Sequence, residues 1–135
     1  LKHPKFYFFF FFVVNGLLNN YLASKDRIGV LFEALVYSQI RNTTLSLDKK
    51  VQIFYFRTRH GLEVDFVIVF GNKKIAIEVK SGSVNSEDTA SLELLKKYDN
   101  TIDQLFCVSL TEKTSRKIKN VFVCNLNEFL RITFK

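Results

Sequence analysis

Three features of the sequence predict a mixed α/β fold, with a central sheet flanked by helices in a single domain of 135 residues. Residues 25–42 repeat their apolar side chains at helical spacing. Residues 63–80 form two strand-length runs, apolar on both faces and joined by Gly71-Asn72, which reads as a hairpin covered by helices. A second helical pattern at residues 87–98 leads into the apolar run 104–110, so a strand–helix–strand crossover with parallel pairing is expected. A chain of this size buries roughly 70% of its unfolded surface, enough for a real core.

The elements follow in order. Residues 6–14 are a continuous aromatic and aliphatic run preceded by Lys2, His3 and Lys5. The run resembles a signal-peptide core but lacks a small-residue cleavage site, and a membrane-spanning helix needs about 20 residues. It reads as a buried strand followed by a short helix near residues 15–21. The alternative is a secreted or membrane-associated protein that uses the Phe-rich start. In the helix at 25–42, Ile28, Leu31, Phe32, Leu35, Val36 and Ile40 form the apolar stripe, Ser24 or Asp26 can cap it, and Asn42 can stop it. Glu33 lies about 100° past Phe32 on the helical wheel, at the edge of that stripe. Val51–Arg57 reads as a strand and residues 57–61 as a basic loop. After the hairpin, residues 81–86 form a small-residue loop, and Asn85 or Ser86 can cap the helix at 87–98. Its apolar face is Ala90, Leu94, Leu95 and Tyr98, with Lys96 and Lys97 suiting its C-terminal end. A short strand at 121–125 and the start of a last helical turn at 127–130 complete the chain.

The net charge is +7, and nearly all of it falls in residues 1–80, which hold 12 Lys or Arg against 6 Asp or Glu. That distribution suits a polyanionic partner. Cys107 and Cys124 match no zinc spacing and lie in apolar runs, so reduced buried thiols and a cytoplasmic location are expected. The chain opens on Leu1 and contains no methionine, so a piece of a longer protein is expected, although a processed mature chain would look the same.

Parity singles out three residues. Opposed residues of a hairpin share a face. With a two-residue turn at Gly71-Asn72, Asp65 faces Glu78; with a four-residue loop, Asp65 faces Lys80. Either register puts Asp65, Glu78 and Lys80 on one face, together with Val67, Val69 and Ala76. Two carboxylates among apolar neighbours are costly unless a cation or hydrogen bonds compensate. A solvated face is the bland alternative. A hard divalent ion is the usual compensation where phosphate chemistry is done.

This constellation resembles the PD-(D/E)XK nuclease superfamily, with its restriction-endonuclease-like core of helix, three strands, helix and strand. More narrowly it is similar to the uncharacterised C-terminal domain of many bacterial and archaeal AAA-type ATPases. The matching pieces are Lys5-Phe6-Tyr7, Gly29-Val30-Leu31-Phe32-Glu33, Tyr55-Phe56-Arg57, Gly61-Leu62-Glu63-Val64-Asp65-Phe66 and Ile77-Glu78-Val79-Lys80-Ser81. One departure is that Phe10, Phe11 and Phe12 stand where that family usually has an Asp-x-Gly turn. The resemblance implies Mg²⁺ or Mn²⁺ held by Asp65 and Glu78, with the Val79 carbonyl as a third ligand and Glu33 acting through water or at a second ion. It implies that Lys80 orients the attacking water or neutralises developing charge. Arg57, Arg59, Lys73 and Lys74 are the expected contacts to a nucleic-acid partner, and an AAA-type ATPase domain in the same polypeptide is the expected neighbour. No membrane partner is implied. The five glycines form no Gly-Lys-Ser/Thr phosphate loop, so this chain should not hydrolyse ATP by that route. The rival expectation is a catalytically silent DNA- or protein-interaction module.

Overall fold

The computed structural model describes residues 25–135, so the expected strand at 6–14, the helix near 15–21 and the Ser24 cap lie outside the described residues. The chain runs α1 (Lys25–Ser46), β1 (Val51–Arg57), β2 (Glu63–Phe70), β3 (Lys73–Lys80), α2 (Ala90–Tyr98), β4 (Gln104–Ser109), β5 (Arg116–Ile118), β6 (Val121–Cys124) and α3 (Leu126–Phe134). The six strands form one mixed sheet in the order β1-β2-β3-β4-β6-β5. β1, β2 and β3 are antiparallel neighbours, β4 joins β3 in parallel through the α2 crossover, β6 runs parallel to β4, and β5 returns antiparallel to β6.

Helices cover both faces, as the apolar-on-both-sides hairpin demands. On one face Phe32, Val36 and Ile40 of α1 and Phe129 and Phe134 of α3 pack with Phe66, Ile68, Ile75, Ile77, Phe106 and Val108. On the other, Leu92 and Leu95 of α2 pack with Val64, Val67, Ala76, Leu105, Cys107, Val121 and Val123. The centre of β3 is sealed, since Ile75, Ala76 and Ile77 are each 0% exposed. The hairpin adopts the two-residue register, with Phe70 opposite Lys73 and Phe66 opposite Ile77. Its first turn residue, Gly71, takes φ +57° while Asn72 stays at negative φ. Glycine at the first central position is what a type II′ hairpin turn requires.

Several boundaries differ from the sequence expectation. α1 continues past Asn42 to Ser46, because Thr44 is buried and its hydroxyl bonds back to the Ile40 carbonyl at 2.9 Å. The helix ends in a Schellman closure: Lys49 N–H donates to Thr44 O at 2.9 Å, Asp48 N–H donates to Leu45 O at 3.1 Å, and Asp48 sits at φ +49°. Leu35, expected on the apolar stripe, is 43% exposed, and Ala34 is buried instead. α2 starts at Ala90 rather than at Glu87, α3 runs on to Phe134, and β5 was not foreseen. Among the described residues, no helix is long and apolar enough to cross a membrane.

Candidate functional site

β2 is irregular at the one place where an acidic residue enters it. Its pairing with β1 runs Phe54 opposite Val67, then resumes with Phe56 opposite Val64, so Tyr55 faces two residues, Asp65 and Phe66. Such a bulge twists the strand and re-aims a side chain. Here it places both Val64 and Val67 in the core beneath α2, with Phe66 in the opposite core. Asp65 turns across to β3, where its Oδ2 accepts the Val79 amide hydrogen at 2.8 Å. Tyr55 lies opposite and donates to Glu63 Oε1.

Glu78 stands next to Asp65 on β3. Its side chain is only 13% exposed. Its Oε2 is buried and has no hydrogen-bond partner among the described residues. Burial, with the Asp65 carboxylate beside it, pushes Glu78 up to about 8 from an ordinary 4.5, against the pull of Lys80. Lys80 follows two residues on, with its ammonium 3.6 Å from Glu78 Oε1 and 3.7 Å from Asp88 Oδ1. Burial pulls Lys80 down, but the carboxylates of Glu78, Asp88 and Asp65 outweigh it and hold the lysine above its ordinary value. The structure therefore brings Asp65, Glu78 and Lys80 together, with the Val79 backbone between them.

Glu33 comes from the opposite side of the sheet. α1 crosses the C-terminal end of β3 closely enough that a Cβ built on Gly29 would lie 3.6 Å from the Ser81 hydroxyl. Glu33, half-buried, is one helical turn beyond Gly29. Among the described residues no three His, Cys, Asp or Glu side chains form a metal-holding group. The two carboxylates still suit a hard divalent ion, because Mg²⁺ is commonly bound by one or two carboxylates plus waters and substrate oxygens. The unpartnered Glu78 oxygen, with the neighbouring Asp65 charge, is the donor arrangement that such an ion would complete.

The expected phosphate contacts divide between the two ends of the sheet. Arg57, exposed, ends β1 opposite Glu63, and Arg59 follows in the adjoining loop, both at the Asp65 end. Lys73 and Lys74 lie at the hairpin turn, five and four residues before Glu78. Lys74 is bound there to Asp99 Oδ2 at 2.5 Å and to Thr101 at 3.2 Å. At the turn end, too, an open groove is lined by Arg41, Thr44, Lys49, Lys50 and Gly71. Cys107 is the β4 neighbour of Glu78, and burial pushes its thiol up to about 12, so it is not a poised nucleophile.

Asp88 is the site residue that sequence reasoning missed. The signal was the Asn85-x-x-Asp88 spacing, a reciprocal cap. Asn85 Oδ1 accepts from the Glu87 and Asp88 amides at 2.8 and 3.2 Å, and Asp88 Oδ2 accepts from the Asn85 amide at 2.8 Å.

Comparison with known families gives one finding: the profile of the domain of unknown function DUF4143 matches residues 28–129. That span contains Glu33, Asp65, Glu78, Lys80 and Asp88. No curated protein matches the chain.

Proposed function

The chain belongs to the DUF4143 family, and from its site we propose that the domain hydrolyses nucleic-acid phosphodiesters with a divalent metal ion, as PD-(D/E)XK nucleases do. One observation carries the reading: Asp65 and Glu78 lie side by side next to Lys80, and the buried Glu78 Oε2 lacks a hydrogen-bond partner among the described residues. In this reading Asp65 and Glu78 hold Mg²⁺ or Mn²⁺, with the Val79 carbonyl as a further donor and Glu33 acting through water. The ion, when bound, lowers the pKa of a water and draws charge from the scissile phosphate. Asp65 is oriented for its part by the Val79 amide. Lys80 orients the incoming water and neutralises charge as it develops on the phosphate. Arg57 and Arg59 hold flanking phosphates, which sets register without reading sequence. The domain would serve an AAA-type ATPase in the same polypeptide and work in the cytoplasm, where the buried free thiols Cys107 and Cys124 stay reduced.

The test is cleavage of plasmid and single-stranded DNA and of RNA by the protein with chelator, Mg²⁺ or Mn²⁺. Metal-dependent cleavage that Asp65→Asn and Glu78→Gln both abolish is the expected result. Absence of cleavage of every substrate, in the wild type and in the ATPase that carries it, refutes the reading. A second reading, a silent nucleic-acid-binding module, is favoured by the lack of a third close acidic ligand among the described residues. It predicts DNA binding with no Mn²⁺-dependent stabilisation.

A further inference from the structure

Lys80 does not rest against a single carboxylate. Its Nζ lies 3.6 Å from Glu78 Oε1 and 3.7 Å from Asp88 Oδ1, so the ammonium is shared almost evenly and neither contact has closed to hydrogen-bond distance. We infer that Asp88 is a positioning residue, which holds the Lys80 ammonium off Glu78 and so leaves Glu78 open to a divalent cation. The inference rests on the metal-dependent reading of this site and adds to it the device that keeps lysine and metal from competing for one carboxylate.

The geometry around Asp88 is built to keep it in place. Its Oδ2 is spent on the Asn85 amide, which leaves Oδ1 for Lys80. Asn85 in turn accepts from the amides of Glu87 and Asp88, closing the reciprocal cap. The loop that carries them is tied down at two more points. Ser109 donates to the Gly82 carbonyl at 3.0 Å, and Arg116 Nη2 donates to the Val84 carbonyl at 2.7 Å. Val84 itself is buried under α2. Asp88 therefore cannot follow Lys80; the lysine, on its flexible four-carbon stem, must come to Asp88.

Removing the Asp88 charge leaves the Glu78 carboxyl as the nearest acceptor. The ammonium is then drawn onto Glu78 Oε1 and closes to a charge-assisted hydrogen bond of about 2.8 Å. A lysine seated on Oε1 neutralises the carboxylate whose other oxygen, Oε2, the ion would meet, and it withdraws from the phosphate it should meet. Asp88 thus acts on metal binding without touching the metal.

A double-mutant cycle on Mn²⁺ binding tests this. Mn²⁺ affinity is measured by calorimetry at one fixed pH for the wild type, Asp88→Asn, Lys80→Gln and the double variant, with Glu78→Gln as the control that loses binding. Asp88→Asn should weaken Mn²⁺ binding about tenfold, the usual scale for a residue that orients a ligand's neighbour. In the Lys80→Gln background the same change should have almost no effect, and Asp88→Glu should recover much of the loss. Wild-type Mn²⁺ affinity in Asp88→Asn overturns the inference. A loss that persists in the Lys80→Gln background also overturns it, because it would mean that Asp88 acts through its own charge or through folding. Should the wild type bind no Mn²⁺, the metal reading itself fails. Crystal structures of the wild type and Asp88→Asn then decide the positioning role: closure of the Lys80–Glu78 contact supports it, and an unmoved Lys80 overturns it.

Discussion

Glu78→Gln should stabilise the metal-free protein, and by an amount that depends on pH in a defined way. The folded protein holds a proton on Glu78 up to about pH 8, whereas a carboxyl of ordinary value 4.5 gives it up far earlier. A raised carboxyl favours the folded state below its unfolded value, and that advantage is lost as pH climbs through the window. Each pH unit between the two values costs ~1.4 kcal/mol. At pH 7 the accumulated cost is about 3 kcal/mol, and it is complete somewhat above pH 8. Glutamine keeps the shape and removes the cost. Lys80 keeps Asp88 as its closest anion, so no cation is stranded. The gain of about 3 kcal/mol at pH 7 corresponds to a Tm rise of roughly 9–15 °C for a domain of this size. The assay is thermal unfolding by circular dichroism, with chelator, from pH 5 to 9. Wild type and variant should nearly coincide at pH 5 and separate steadily towards pH 8. Parallel curves, with the variant melting below wild type at every pH, would refute the reasoning. Glu78 would then be an ionised structural partner of Lys80, and removing it would strand a cation.

Other outcomes follow from the same structure. Arg57→Ala with Arg59→Ala should weaken nucleic-acid binding equally across sequences and lower the salt slope by about 2 in filter binding at graded salt, if each arginine meets one phosphate. Lys73→Ala with Lys74→Ala should weaken binding less, because both lie at the hairpin turn and Lys74 is engaged by Asp99. Gly71→Ala should cost about 1 kcal/mol or more in urea unfolding, since alanine must adopt φ +57° at the turn. Phe129→Ala should cost about 3–5 kcal/mol by the same measure, because the ring is fully buried and packs edge-on at 5.1 Å against Phe106.

The elements that sequence made legible are those with strong periodicity. Val51–Arg57 and both hairpin strands match the expected bounds, and of the two registers that Gly71-Asn72 left open the structure adopts the two-residue turn. Side-chain parity placed Asp65 and Glu78 together, but for a reason that was only partly right. Parity assumes an unbroken ladder, and the β1–β2 ladder breaks at Asp65 itself. The placement survived because β2 stays in register with β3 up to Phe66 opposite Ile77, the pair next to Asp65 and Glu78, and the Val79 amide bonds to the Asp65 carboxylate. What periodicity could not reveal was set by tertiary contacts. The extra turn of α1 depends on a buried threonine hydroxyl that bonds to its own helix. β5 is three residues long, two of them lysine and arginine, and exists through its pairing with β6. Asp88 carries no periodic signal, and its role depends on a loop folded back by Ser109 and Arg116, 21 and 28 residues later in the chain.

The hydrogen bond between Asp65 and the Val79 amide gives the acidic site a spectroscopic reporter. A backbone amide in a central strand exchanges with solvent only when its acceptor lets go, and the acceptor here is a side chain. The neighbouring amides of Ile75, Ala76 and Ile77, sealed within the sheet, should exchange at the rate of whole-molecule unfolding. The Val79 amide should exchange at the rate at which the Asp65 carboxylate swings away. The difference between those rates measures the freedom of one carboxylate in the intact protein, and any ligand that captures or releases Asp65 would register there first.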